Sequence, residues 1–433
     1  MFEQFLIDQN THWSGVLYEQ GIQRDCMSKI VDYLKLPHII SITGVRRAGK
    51  SKLLKQTINF LMKSEGVPLR NILSLNLEHP YLTQFSQDVM NLERLFDDYL
   101  KIADPKGTVY CFLDEVQAFK DWPVFVKAHY EQKGVKFIIT GSNSFLMSSE
   151  LLTLLSGRTL PVEVFPLSFK ELAMAKLGLK KTDPIVLGQH RQELRRLFDT
   201  FLRYGGFPEP ALLEDKRFVD DILNAYSKTI LYQDVATRLK VKKPEDLERL
   251  FYYMISHVGT PFSHGSLTKV FDLSDKTIKE YIEALIDAYL LFEIDPFSPS
   301  MKAQIRGSKK VYAIDTGMVN ATAFQFSQNR GRLFENITFL ELKRRQKELY
   351  SYKTADGYEV DFVAHNKGTL ELFQACVELD DRDAVAREGR ALAAAAKELK
   401  VKRGIVLTTD DAREWSEDGV EIEAVPLYRF VWR

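Results

Sequence analysis

The sequence predicts an α/β protein whose leading module is a phosphate-loop domain built on a parallel sheet. Three observations carry this expectation. Gly44-Val45-Arg46-Arg47-Ala48-Gly49-Lys50-Ser51 is a full phosphate-binding loop, entered by the β-branched run His38-Ile39-Ile40-Ser41-Ile42-Thr43 and left by the helix-like Ser51-Lys52-Leu53-Leu54-Lys55-Gln56. Strand-like and helix-like segments alternate from residue 36 to about 166, as in a sheet covered on both faces. Within that stretch the apolar strand Thr108-Val109-Tyr110-Cys111-Phe112-Leu113 runs into two carboxylates, Asp114 and Glu115.

Each part of the loop has a chemical task. Gly44 and Gly49 let backbone N–H groups approach phosphate oxygens, Lys50 reaches the outer phosphates, and the Ser51 hydroxyl ligates Mg²⁺. The whole run from Gly44 to Lys52, with Val45, Arg46, Arg47 and Ala48, is the expected nucleotide-contacting segment. After it, Asn71 to Leu77 reads as a second strand and Leu92 to Ile102 as an amphipathic helix. Asp114, at the end of its strand, is the expected partner of Ser51 in holding Mg²⁺, and Glu115 the group that orients and deprotonates the attacking water. A further strand, Val135 to Thr140, ends in Gly141-Ser142-Asn143-Ser144. If it lies beside the loop strand, Ser142 and Asn143 are placed to sense the γ-phosphate; otherwise they are turn residues.

Composition sets the frame around this module. With 433 residues the chain exceeds one ordinary core, so two or three domains are expected. Lys+Arg and Asp+Glu are equal at 59 each, so any basic surface for nucleic acid must be local. Three separated cysteines, Cys26, Cys111 and Cys376, suit a reducing cytoplasm and give no metal-type spacing. The first eight residues carry acids where a signal peptide carries bases, and no apolar run is long enough to span a bilayer. A cytoplasmic protein without a membrane partner is the expectation.

Residues 168 to 235 are mainly helical by periodicity, broken by the turn Gly205-Gly206-Phe207-Pro208, and read as a lid beside the nucleotide. Between Pro244 and Asp315 the pattern is helix (Glu245 to His257), short helix (His264 to Phe271), helix (Ser274 to Ala288, with Ser274 as N-cap), then strands Tyr289 to Ile294 and Lys309 to Ile314. Three helices and a two-stranded wing make a winged helix. Lys276, Thr277 and Lys279 on its third helix, and Lys302, Arg306, Lys309 and Lys310 in and after the wing loop, would suit a major groove and its flanking phosphates. Many such modules only pack or bind protein, so double-stranded DNA and a protein contact both stay open.

The phosphate loop with Arg46-Arg47, Leu113-Asp114-Glu115, Thr140-Gly141-Ser142-Asn143, Leu155-Ser156-Gly157-Arg158-Thr159, Phe165-Pro166-Leu167-Ser168-Phe169 and Tyr204-Gly205-Gly206-Phe207-Pro208-Glu209 together resemble a prokaryotic AAA+ family of ATP-binding proteins. The resemblance runs along nearly the whole chain. It implies an AAA-type domain (1–166), a helical lid (167–243), a winged helix (244–331) and a C-terminal domain (332–433). It also implies adenine, hence ATP and ADP, where no base-reading motif is visible. By the same resemblance Arg158 reads the γ-phosphate, within the chain or from a neighbouring copy in a homo-oligomer; the competing reading is a loop-capping arginine.

The last hundred residues read as a helix opened by Arg332-Leu333-Phe334-Glu335-Asn336, strands Tyr358 to Val363 and Leu370 to Val377, an Ala-rich helix from Ala384 to Leu399, and strand Gly404 to Thr409. In order and residue placement they resemble the PD-(D/E)XK nuclease fold, in which a helix acid, a strand Asp and an acid-x-Lys gather a divalent metal and a water. Glu335 and Asp361 match the first two. The third element is Gln374-Ala375-Cys376, which has neither the acid nor the ammonium, and Glu378 is the nearest substitute by strand alternation. A nuclease-like scaffold that binds without cutting is expected, against the alternative of a DNA nuclease. For the chain as a whole the expectation is an Mg²⁺-dependent ATPase coupled to these modules, and the alternative is a nucleotide-gated switch with negligible turnover.

Overall fold

In the computed structural model, residues 2–141, 154–179, 183–323, 330–345, 348–366, 368–379 and 382–433 are described. They divide into two units, Met1–Phe165 and Pro166–Arg433.

The first unit is built on β1 (Ile39–Gly44), β2 (Ile72–Asn76), β3 (Val109–Asp114), β4 (Val135–Thr140) and β5 (Thr159–Val164), all parallel and ordered β2-β3-β4-β1-β5. Burial on both faces explains why β1 and β4 are near-continuous apolar runs. Parallel strands share one carboxyl edge, so the loop after β1, Asp114 after β3 and Thr140 at the end of β4 lie along the same rim. β4 also separates β1 from β3, which puts the acid-bearing strand about 10 Å from the loop strand, two strand spacings away.

The chain before the loop covers the edge strand β2. Asn10 accepts the Ser74 N–H at 2.6 Å, and the Trp13 indole donates to the Ile72 carbonyl at 2.8 Å. An exposed ladder edge is thereby capped by side chains. His12 is fully buried beside them, with Nε2 3.0 Å from the Ile72 carbonyl and Nδ1 2.9 Å from the Tyr18 hydroxyl. A carbonyl only accepts, so Nε2 carries a proton.

Burial lowers the His12 pKa to about 4. The unfolded chain takes up this proton near pH 6.5 and the folded one only near 4. Stability from this group is therefore present at neutral pH and lost as pH falls between those values. A loss of about 3 kcal/mol by pH 4 is expected from 1.4 kcal/mol per pKa unit. Unfolding temperature against pH should fall across this window in the wild type and run flatter in His12→Gln; parallel profiles would discard the assignment.

The second unit begins with helices Phe169–Leu177, Pro184–Gln189, Arg191–Tyr204, Pro208–Leu212 and Val219–Thr229, the last continued by a π-helical segment, Ile230–Ala236. Ser168 starts the first of these with a full capping box to Glu171. The glycine turn at 205–206 is shaped by Asp315, whose carboxylate accepts the Gly206 N–H at 2.6 Å and the Met318 N–H at 2.9 Å. A Cβ on Gly205 would lie 2.0 Å from that carboxylate, at φ +72. Burial pushes the Asp315 carboxyl up to about 6, against the pull of these N–H donors.

Helices Pro244–Ser256, His264–Phe271 and Asp275–Asp287 come next, and Ser274 caps the third by accepting the Thr277 N–H. They pack with a small sheet of β6 (Pro261–Phe262), β7 (Leu291–Ile294) and β8 (Lys309–Ala313), ordered β6-β8-β7. The segment expected to be a wing loop forms a helix, Met301–Arg306, begun by the Ser300 side chain.

A six-stranded mixed sheet completes the unit: β9 (Glu348–Lys353), β10 (Glu359–Asn366), β11 (Thr369–Ala375), β12 (Arg403–Thr408), β13 (Arg413–Glu417) and β14 (Val420–Pro426), ordered β13-β14-β12-β11-β10-β9. Helix Arg382–Leu399 lays Leu392, Ala393, Ala395 and Ala396 against this sheet. Gly404 of β12 lets Leu392 come close, since a Cβ there would lie 3.0 Å from the leucine side chain. β9 has no counterpart in the sequence reading.

Candidate functional site

The phosphate loop leaves β1 at Gly44 and enters helix Lys50–Lys63 at Gly49. Arg47 (φ +70) and Gly49 (φ +99) adopt the left-handed conformation that turns backbone N–H groups to one side. Lys50 is 6% exposed, and its ammonium donates to the Gly44 and Val45 carbonyls at 3.0 and 3.3 Å. Val45 and Ala48 are buried, which leaves Arg46 half-buried and Arg47 exposed on the outer side. Gly44 has a second reason to be glycine. A Cβ there would stand 2.1 Å from the Val164 carbonyl oxygen of β5.

Across the rim, Ser51 stands close enough to the Asp114 carboxylate to help lower its pKa, so the two expected Mg²⁺ ligands lie near each other. Thr140 donates to Asp114 Oδ1 from the other side and accepts the Glu115 N–H at 3.0 Å. Burial raises the Asp114 pKa; Thr140 and Ser51 lower it, Glu115 raises it and Lys50 lowers it. A half-buried carboxylate with a hydroxyl at its side is the condition that a divalent cation relieves, so these residues fit Mg²⁺.

Glu115 itself has φ +54, an uncommon backbone state for a glutamate, which turns it away from the strand. Gln117 donates to its Oε2 at 2.6 Å.

Three contributors escaped the sequence reading. Thr140 ties the Asp114 carboxylate and the Glu115 backbone to β4, and Gln117 holds the Glu115 carboxylate. Arg24 is 6% exposed and donates to the Ala48 carbonyl at 2.8 Å and the Phe165 carbonyl at 2.6 Å, clamping the loop to the end of β5. Strand order and long-range contacts bring in Thr140 and Arg24, whereas Gln117 reaches Glu115 from two residues on; a polar residue ending the strand before Gly141 was the one signal for Thr140.

Other expected residues lie elsewhere. Ser142 and Asn143 fall outside the described residues. Lys52 pairs with Glu19 at 2.6 Å and does not turn to the loop. Arg158 precedes β5, and its carbonyl accepts the Ile39 N–H at the start of β1. It therefore lies at the amino edge of the sheet, about 16 Å along β1 from the loop, and its guanidinium pairs with Glu131 at 3.1 Å. Reading the γ-phosphate within its own chain is excluded by that position, which leaves a neighbouring copy or a structural role.

In the second unit, Lys309 and Lys310 are not DNA-facing as the sequence suggested. Lys309 pairs with Glu293 at 2.9 Å and Asp295 at 3.3 Å. Lys310 is 2% exposed among acids. Strand alternation sends it inward, opposite to the solvent face expected of a wing. Lys279 and Lys276 pair along their own helix with Asp275 and Glu280 at 2.7 and 3.7 Å, an exposed arrangement worth little. Lys302 and Arg306 are exposed.

Glu335 and Asp361 both lie near the Lys310 ammonium, at 3.0 and 3.5 Å. Asp361 accepts the Ala375 N–H at 2.9 Å, and its own N–H donates to Gln374 Oε1 at 3.2 Å. The β9–β10 register shifts between Val360 and Val363, a bulge that re-aims Asp361. Burial and the neighbouring Glu335 hold the Asp361 pKa above the usual carboxylate range. Burial pulls the Lys310 pKa down, but Glu335, Asp361 and Glu359 outweigh it and keep the ammonium charged. Cys376 lies beyond the end of β11 and donates its thiol to the Glu378 carbonyl at 3.1 Å. Because the strand has ended, alternation fails at Glu378 and the residue is exposed. It does not substitute for the missing acid.

A family model described as an AAA domain matches residues 37–173. Models described as domains of unknown function, DUF8612 and DUF4143, match residues 195–329 and 330–430. The uncharacterized protein MJ1544 of Methanocaldococcus jannaschii is 34% identical, over 99% of this chain and 95% of that protein. An uncharacterized protein of Haemophilus influenzae is 28% identical, over 84% of this chain and 87% of its own. Among solved structures, the Walker-type ATPase PABY2304 of Pyrococcus abyssi aligns with 70% of this chain and 95% of its own, at 14% identity and a TM-score of 0.42. No helix among the described residues is long and apolar enough to cross a membrane.

Proposed function

The chain belongs to the same family as MJ1544 of Methanocaldococcus jannaschii, and from its AAA domain we propose that it binds ATP with Mg²⁺ and hydrolyses it. The single observation that carries this reading is Asp114 held by Thr140 next to Ser51, the hydroxyl that follows Lys50. Lys50 and the loop N–H groups would hold the outer phosphates. Ser51 and Asp114 would hold Mg²⁺, which when bound neutralises charge developing on the transferring phosphoryl group. Glu115 would orient the attacking water and take its proton, with Thr140 fixing its backbone and Gln117 its carboxylate.

In this reading nucleotide state acts on the modules that follow, a helical lid, a winged helix and a nuclease-like scaffold, in a cytoplasmic protein. The helix order and the β6-β8-β7 sheet support the winged helix, and the meeting of Glu335, Asp361 and Gln374 supports the scaffold. The scaffold would bind without cutting, since its third element has no acid-x-Lys. A duplex DNA contact would fall to Lys276, Thr277, Lys279, Lys302 and Arg306.

Steady-state ATPase assays with and without duplex DNA test the proposal. Wild type should turn over ATP, and Lys50→Ala should lose at least about a hundredfold, since the lysine acts on the charge developing in the transition state. Equal rates in both proteins would remove the ATPase reading. Unchanged rates with DNA, together with no salt-dependent DNA binding, would remove the DNA contact. Turnover per chain at rising protein concentration reads assembly through a neighbour's Arg158.

A further inference from the structure

The C-terminal acids open onto a cavity of about 470 Å³ lined by Lys310, Arg332, Glu335, Glu359, Asp361 and Gln374 among others. Lys310 comes from β8, outside the sequence block that resembles a nuclease. Its ammonium lies 2.6 Å from Glu359 Oε1, 3.0 Å from Glu335 Oε1 and 3.5 Å from Asp361 Oδ1. Tyr312, two residues along the same face of β8, donates to the same Glu335 oxygen at 2.7 Å. Two further acceptors are engaged, Asp361 Oδ2 by the Ala375 N–H and Gln374 Oε1 by the Asp361 N–H.

The metal implied by the nuclease resemblance does not fit this arrangement. Among the described residues no group of three His, Cys, Asp or Glu side chains is arranged to hold a metal ion. The cation at the centre of the acids belongs to the chain. We infer that Lys310 occupies the place of the divalent metal, so that the cluster is a cation site filled by the protein's own ammonium, and removing that ammonium converts it into a divalent-cation site. Glu335, Glu359 and Asp361 stand around an ammonium and not at metal-ligand spacing; without Lys310 their hard oxygens would draw in on the Mn²⁺ or Mg²⁺ that such oxygens prefer. The ammonium, rather than the missing acid-x-Lys alone, would then keep the domain metal-free, and it ties β8 to the C-terminal sheet.

This inference rests on the non-cleaving scaffold reading, and the test separates the two. Mn²⁺ binding is followed by electron paramagnetic resonance on the nucleotide-free full chain carrying Asp114→Asn, which removes the acid of the loop site. The parent should bind no Mn²⁺ at the cluster. Lys310→Met and Lys310→Gln should each gain one Mn²⁺ per chain, and adding Glu335→Gln should abolish it. The glutamine variant keeps a donor for the acids in case the methionine variant misfolds.

Mn²⁺ binding by the parent that Glu335→Gln removes would overturn the inference, as would folded Lys310 variants that gain none. Misfolding of both variants that Mn²⁺ does not repair also counts against it, because a cation that fills the cluster would replace the lost charge. Either failure without DNA cleavage leaves the scaffold reading standing. Mn²⁺-dependent DNA cleavage by the parent that is lost in Asp361→Ala removes that reading itself.

Discussion

Replacing Glu115 with glutamine is expected to lower ATP turnover by about a hundredfold or more, the usual contribution of a positioned general base, while ATP binding persists. The backbone at this position is held by Thr140 and stays in place when the carboxylate becomes an amide. Glutamine is nearly isosteric and leaves Lys50, Ser51 and Asp114 untouched, so the change removes a proton acceptor and little else. Turnover from a coupled assay and affinity from a fluorescent ATP analogue would be measured side by side. A variant that loses binding and turnover together would show that Glu115 supports the site structurally, and one that keeps turnover would move the base elsewhere.

The second large effect is expected at Gly44. Alanine there would place a methyl group 2.1 Å from the Val164 carbonyl oxygen at φ +146. Both the clash and the backbone strain must be relieved by parting β1 from β5 at the mouth of the loop, where Gly44 pairs with Val164. The combined cost is about 3 kcal/mol or more, from overpacking and a sparsely populated backbone state. Thermal unfolding should shift down by several degrees, and ATP affinity should fall because the loop is anchored on that pair. Unchanged stability and affinity would contradict the close approach of the two strands. The glycine thus answers to a neighbouring strand as well as to phosphate, a requirement that no reading of the loop motif contains.

That contrast describes how much was legible. Patterns carried by adjacent residues survived: the strand, loop and helix around Lys50, the acids closing β3, and the Ser274 cap. The β4 strand does lie beside β1, as the sensor reading required. Residues whose meaning depends on a partner far along the chain were misread or missed. Lys310 looked like a wing lysine because its neighbours are basic and polar, while its burial is set by a strand pairing and by acids 25 and 51 residues on. Arg158 was offered as a phosphate reader by family resemblance, yet it lies at the amino edge of the sheet, away from the loop of its own chain.

By itself the sequence determined which local pieces exist and which chemistry the phosphate loop and its two acids are equipped for, because backbone propensity, capping and side-chain periodicity act within a few residues. Tertiary structure alone decided that Thr140 joins Asp114 to Glu115, that Arg24 clamps the loop, and that Lys310 fills the C-terminal acid cluster. Those choices follow from strand order and from the cost of burying unpaired charge, and both are settled between segments that sequence spacing does not relate.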